Sequence, residues 1–142
     1  MPHRALTVLV LGLAACQGWS EPPTRPSPPR PRASATLSLH DGAGGVGPFQ
    51  LATLKRLATD VGYQGEPGTH SLRLDVLGPN GQLYAQLSGT LEADARGAGV
   101  ATRSLEVAGT PIEAYHMTGT WRVVLSMDGG QTLASASVTF LD

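Results

Sequence analysis

The feature that most constrains the fold is strict alternation of apolar and polar residues in two stretches, each bounded by a tight turn. Residues 71–77 place every second residue, each of them apolar, on one face, as a half-buried strand does. A Pro-Asn-Gly turn over 78–82 reverses the chain into a second strand over 82–91. This returning strand is predicted to direct one set of residues inward (Leu83, Ala85, Leu87) and the other outward (Tyr84, Gln86, Ser88).

The last third of the chain predicts a second hairpin. Trp121, Val123, Leu125 and Met127 alternate with more polar residues, and the turn Asp128-Gly-Gly-Gln131 follows. The final strand then directs four residues inward (Ala134, Ala136, Val138, Phe140). Trp121 is predicted to be the large core anchor between two sheets rather than a platform for a ligand.

Shorter patterns complete an all-β chain. Strands are predicted over 35–39, with Leu37 and Leu39 inward, and over 100–107, with Leu105 and Val107 inward. Residues 92–99 are predicted to be a mobile connection. Residues 108–111 are predicted to end the strand over 100–107. Residues 49–61 fit either a helix capped by Gly62 or an edge strand with a bulged course, and we favour the strand.

The closing hairpin also carries a family resemblance. Thr118-Gly-Thr-Trp121, continued by the alternating residues 134–140, resembles the end of immunoglobulin-like bacterial surface and macroglobulin-type domains. The resemblance implies an immunoglobulin-like antiparallel β-sandwich of about seven strands over residues 34–142. It also implies a sandwich without the inter-sheet cysteine pair, because Cys16 is the only cysteine in the chain.

The N-terminal segment predicts export. A short basic start is followed by nine apolar-leaning residues, 5–13, which rise only about 14 Å as a helix and cannot span a ~30 Å hydrocarbon layer. Such a segment is typical of a secretory signal. It ends in Leu13-Ala14-Ala15-Cys16, which is similar to the lipobox of bacterial prolipoproteins.

The lipobox resemblance implies that residues 1–15 are a signal peptide cut between Ala15 and Cys16. Cys16 would carry a diacylglyceryl thioether and so anchor the protein to the membrane. Gln17 follows it where the enterobacterial inner-membrane signal would have Asp, so the analogy implies the outer membrane. The alternative is an ordinary secretory leader with a free thiol beside the cut.

Residues 16–33 are predicted to be a tether. Glu21 to Arg32 contains six prolines in twelve residues, which favours an extended polyproline II segment that holds the domain up to about 35 Å from the bilayer. We favour a solvated spacer, although Arg25, Arg30 and Arg32 can contact anionic headgroups or cell-wall polymers.

The charge of the predicted domain excludes nucleic acid as a partner. From Ser34 onward there are six Lys and Arg against ten Asp and Glu, a net charge of −4. A chain with no basic stripe lacks the electrostatic footprint of nucleic-acid binding.

The sequence shows no convincing catalytic or metal-binding motif. His40, His70 and His116 are spaced 30 and 46 residues apart, unlike zinc ligands. Gly42, Gly44 and Gly47 form a literal G-x-G-x-x-G. The chain is nevertheless too short for a dinucleotide fold, and no acidic residue stands at the expected distance. No cofactor and no metal are therefore predicted. A calcium site built from loop aspartates stays open as an alternative (Asp41, Asp94, Asp128).

Two classes of function remain. The favoured one is a non-catalytic lipoprotein of the cell envelope that presents its domain to a protein or polymer partner. Its binding surface would be an edge strand, the loop ends, or the exposed face bearing Tyr84, Gln86 and Arg122. The alternative is a lipid-anchored enzyme, or a subunit of one, that uses His40 with Asp41, or His116 with loop carboxylates.

Overall fold

The structure, a computed structural model, describes residues 32–142. The predicted signal peptide, Cys16 and the tether up to residue 31 lie outside the described residues. The described chain forms eight strands and one helical turn in this order: β1 (Ser34–His40), β2 (Phe49–Gln50), β3 (Arg56–Gln64), β4 (Gly68–Leu77), β5 (Leu83–Ala93), β6 (Ala98–Glu106), α1 (Pro111–Ala114), β7 (Gly119–Met127) and β8 (Thr132–Leu141).

Two sheets pack face to face as an immunoglobulin-like β-sandwich, which confirms the predicted fold class. One sheet has three strands in the order β1-β3-β6, and the other has five in the order β2-β8-β7-β4-β5. All neighbours are antiparallel except the short strand β2, which pairs in parallel with the end of β8. Both predicted hairpins, β4–β5 and β7–β8, are present.

The core between the sheets is organised around Trp121, as predicted. Its side chain is fully buried, with ring centroids 5.5 Å from Phe140 and 5.2 Å from Tyr84. The indole N–H donates to the carbonyl of Met117, with an Nε1–O distance of 2.9 Å. The polar tip of this large side chain is therefore satisfied inside the core.

No helix within residues 32–142 is both long enough and apolar enough to cross a membrane.

The segment 49–61 contains β2 and the first part of β3, separated by a turn. The predicted edge position is wrong for β3, which makes up most of the strand residues in this segment. After β2, the amide nitrogens of Thr53 and Leu54 donate to the carbonyl of Gln50 and turn the chain. β3 then runs as the central strand between β1 and β6. Its burial alternates from Leu57 to Tyr63, and Ala58 is buried in addition.

The connection predicted over 92–99 is shorter than expected. β5 ends at Ala93 and β6 begins at Ala98, which leaves a turn of four residues. The Asp94 carboxylate accepts the backbone N–H groups of Arg96 and Ala98 at 2.8 and 3.1 Å. The aspartate thus closes the turn locally.

The predicted orientation of Leu83 and Tyr84 is wrong because the β4–β5 pairing shifts by one residue. Val76 pairs with Ala85 and Leu77 pairs with Leu83, so Tyr84 is an extra residue in β5. Leu83 is consequently 52% exposed, while Tyr84 turns inward and contacts Trp121 edge-on. Ala85 and Leu87 do pack against the core as predicted.

Candidate functional site

Each histidine that the structure describes is paired with an aspartate far away in the sequence. The pairs differ in exposure. In the His70–Asp128 pair the histidine is buried, whereas the His40–Asp60 and His116–Asp142 pairs lie at the surface. The nitrogen–oxygen distances are 2.6 Å for His70–Asp128, 2.9 Å for His40–Asp60 and 2.8 Å for His116–Asp142.

The pairing of His40 with Asp41 predicted for the enzyme alternative is wrong. His40 Nδ1 accepts the backbone N–H of Gly42, so Nε2 donates to Asp60. The second oxygen of Asp60 accepts the hydroxyl of Thr102 at 2.8 Å. The Thr102 hydroxyl therefore meets the carboxylate rather than the imidazole, which is not the order of a nucleophile–base relay.

Asp41 instead organises its own glycine-rich loop. One carboxylate oxygen accepts the backbone N–H groups of Ala43 and Gly45 at 2.8 and 2.9 Å. These bonds lower the pKa of Asp41 below its ordinary value. The loop leads into β2 rather than into a helix, which removes the helix N-terminus that a dinucleotide site requires.

The structure does not bring the three loop aspartates together. Asp41 directly follows the last residue of β1. Asp94 lies near the opposite end of β1, where that strand begins. Ser34, the first residue of β1, pairs with Gln64, and Gln64 pairs with Ala98 at the end of the Asp94 turn. Asp128 is bonded to His70 and Ser71. Within residues 32–142, no group of three or more His, Cys, Asp or Glu side chains is placed to hold a metal ion.

A cleft of about 640 Å³ lies between β1 of one sheet and β8 of the other. None of its eleven lining residues is charged. Val46 and Leu141 lie in it with 77% and 43% of their surface exposed. Seven of the lining residues are apolar: Leu37, Leu39, Val46, Pro48, Ala136, Val138 and Leu141.

The two strands that flank the cleft present free edges. Among residues 32–142, β1 pairs only with β3, and β8 is paired on its second side only at residues 140 and 141, where β2 meets it. Sheet edges are commonly protected from further pairing by charged residues or proline. β1 and β8 contain no Lys, Arg, Asp, Glu or Pro in their seventeen residues.

On the opposite side of the sandwich, a side chain of β6 reaches across to β5. Arg103 of β6 donates from Nε to the carbonyl of Ser88 at 3.3 Å and from Nη1 to that of Thr102 at 2.9 Å. Its guanidinium occupies the space that a Cβ at residue 89 would fill, which explains glycine there. The long Arg103 side chain thus bridges the two sheets on this side.

The predicted binding face bearing Tyr84, Gln86 and Arg122 is only partly present. Gln86 and Arg122 are exposed, and Arg122 Nη2 lies 3.4 Å from Ser135 Oγ. Tyr84 is in contact with the core, so this face lacks the aromatic residue that would anchor a partner.

Comparison with known proteins shows a shared fold and no family. No family model matches the chain, and no curated protein matches it. The CARDB domain of the PF1109 protein from Pyrococcus furiosus, solved in complex with di-metal ions, is similar to 83% of this chain over 95% of its own length. It is 16% identical, with a TM-score of 0.44.

Two larger proteins contain a similar domain. A β-glucosidase from Kluyveromyces marxianus is 10% identical over 78% of this chain, with a TM-score of 0.45, and the match spans 14% of that enzyme. A putative β-galactosidase from Bacteroides fragilis is 12% identical over 75% of this chain, with a TM-score of 0.41, and the match spans 15% of it. The chain therefore corresponds to a small part of these two proteins.

Proposed function

We propose that this protein is a lipid-anchored, non-catalytic component of the bacterial outer membrane whose domain binds an extended segment of a partner protein. The observation that carries the proposal is the uncharged cleft between the free edges of β1 and β8. Cys16 supplies the anchor, and the proline-rich tether holds the domain away from the bilayer.

Two properties of the cleft support a protein strand as the occupant. The free edges of β1 and β8 offer unpaired main-chain donors and acceptors, which an added strand can satisfy. The apolar floor between them suits a strand that directs every second side chain inward. A polysaccharide lacks the amide repeat that such a ladder requires.

The protein's own tether is a poor occupant for the same edge. Proline has no backbone N–H, and half of the residues from Glu21 to Arg32 are proline. A continuous ladder along β1 is therefore unavailable to this segment. The cleft is also uncharged within a domain of net charge −4, so an uncharged partner segment is favoured there.

Val46→Lys is expected to reduce partner binding at least about tenfold, because partner contact would bury the new ammonium group in an apolar cleft. The measurement is the yield of adducts after chemical cross-linking of the membrane-attached protein in its native cells. Val100→Lys is the matched control, since Val100 is 83% exposed on β6 and does not line the cleft. Equal loss of adducts in both variants, or no loss in Val46→Lys, would contradict the proposed site.

A further inference from the structure

His70 is a buried histidine with an oxygen acceptor at each ring nitrogen. Only 7% of the residue is exposed. Nδ1 lies 2.6 Å from Asp128 Oδ2, and Nε2 lies 2.6 Å from the carbonyl oxygen of Glu66. A carbonyl oxygen can only accept, so Nε2 carries a hydrogen.

The second nitrogen carries a hydrogen as well. The Asp128 carboxylate also accepts the backbone N–H of Ser71 at 2.9 Å, which stabilises its ionised form. Its pKa is lowered chiefly by the bond to His70. An ionised carboxylate 2.6 Å from Nδ1 requires a donor there, so the ring is an imidazolium with two charge-assisted bonds.

The imidazolium connects two turns at the end of the sandwich where β1 begins. Glu66 belongs to the β3–β4 turn, which links the two sheets, and Asp128 opens the β7–β8 turn with a left-handed φ of +53°. Tyr63 of β3 packs its ring 4.7 Å from the His70 ring, and its hydroxyl accepts the N–H of Glu66. The cation therefore links the two turns to each other, in addition to the hydrogen bonds that each turn makes by itself.

The charges that face the ring favour its protonated form. Asp128 raises the pKa of His70 most, followed by the carbonyl of Glu66, and the Glu66 carboxylate adds to this. Burial acts in the opposite direction but is outweighed. β3 contributes the neutral ring of Tyr63, and Leu91 lies opposite His70 on β5.

We propose that His70 is a proton-dependent clamp that fixes the β3–β4 turn to the β7–β8 turn and releases them when the pH rises. Loss of one ring hydrogen leaves a nitrogen lone pair facing an oxygen, either the Glu66 carbonyl or the Asp128 carboxylate. One of the two bonds must then break, and the turn on that side loses its link to the other turn. This inference is independent of the proposed partner binding.

The sign of the pH dependence follows from the direction of each shift. The pKa of His70 is raised on folding, so its contribution is complete below the ordinary value of 6.5 and disappears as the pH rises through the folded-state value. The pKa of Asp128 is lowered, so its contribution is present above 3.8 and disappears as the pH falls through the folded-state value. The clamp therefore contributes most to stability between about pH 4 and pH 6.5.

NMR titration of the histidine ring protons in the full-length chain tests the clamp directly. His70 is expected to titrate above 6.5, and the protection of the amides of the two turns, relative to the intrinsic exchange rate at each pH, is expected to fall as it does so. A His70 midpoint at or below 6.5, or amide exchange in the turns that does not follow the titration, would overturn the proposal.

A variant series provides the second test. The melting temperature of the wild type is expected to fall between about pH 6 and 9, and His70→Gln is expected to remove most of this dependence. His116→Gln is the matched control, since its pair with Asp142 has a similar length but is exposed on both sides. The same pH profile in His70→Gln and the wild type would refute the clamp. If His70→Gln does not fold, the ring titration of the wild type decides.

Discussion

Trp121→Ala is expected to lower the free energy of unfolding by about 3–5 kcal/mol, a large part of the ~5–15 kcal/mol that a domain of this size possesses. The substitution removes the contacts of a fully buried ring with Phe140 and Tyr84. It also leaves the Met117 carbonyl without its indole donor. Urea denaturation followed by far-ultraviolet circular dichroism measures the loss without relying on the fluorescence of Trp121.

The control for this prediction is Val100→Ala, which alters a side chain that is 83% exposed. Its effect is expected to stay within about 0.5 kcal/mol. Trp121→Phe distinguishes the contribution of ring packing from that of the hydrogen bond, because phenylalanine retains most of the apolar contact and lacks the N–H donor. A Trp121→Ala domain as stable as the Val100→Ala domain would show that the core is not organised around Trp121.

Cys16→Ala is expected to move the protein from the membrane fraction to the soluble fraction, or to leave it unprocessed with its leader attached. Each buried CH₂ of an acyl chain contributes about 0.8 kcal/mol, so the two or three chains of the proposed anchor would hold the protein where the polypeptide alone would not. Fractionation after a high-salt wash, with mass spectrometry of the N-terminal peptide, measures both the location and the modification.

The basic tether is the other feature that could hold the protein at a membrane. Replacing Arg25, Arg30 and Arg32 by alanine removes its positive charges and leaves Cys16 intact. This triple variant is expected to remain membrane-bound after the salt wash, because salt screens headgroup attraction but not acyl insertion. Membrane retention of Cys16→Ala would refute the lipid anchor.

Local alternation predicted the parts of the fold in which a strand exposes one face to solvent. Every second residue of β4 and β7 is buried as predicted, from Leu72 to Val76 and from Trp121 to Met127. The turns that follow these strands carry the Gly, Asn and Asp residues that their geometry requires. Periodicity is a dependable guide here because each face meets one environment.

Local alternation did not predict the features that depend on how a strand pairs with its neighbours. β3 alternates in burial from Leu57 to Tyr63 with Ala58 buried in addition, but nothing in its sequence marks it as the central strand between β1 and β6. The extra residue in β5 reversed the orientation of Tyr84, and nothing near Tyr84 in the sequence marks the shift in pairing. Both outcomes depend on strands that are distant in the sequence.

The candidate site could not be located from the sequence for a related reason. The cleft exists because β1 and β8, almost a hundred residues apart, are adjacent edges of different sheets. His70 and Asp128 are 58 residues apart and meet only because β4 pairs with β7. The sequence already shows that β1 and β8 contain no Lys, Arg, Asp or Glu. This absence indicates unprotected sheet edges only when both strands are known to lie at the edges of their sheets.

Site-specific photo-cross-linking in the native cell tests the central claim most directly. A benzophenone-bearing amino acid is placed at residue 46, in the cleft, or at residue 100, on β6 and outside the cleft. The proposed function predicts an adduct from residue 46 that contains peptides of a second protein, and none from residue 100. No adduct from residue 46, equal adducts from both, or an adduct without peptides of a second protein would contradict a protein partner bound at the β1–β8 edge.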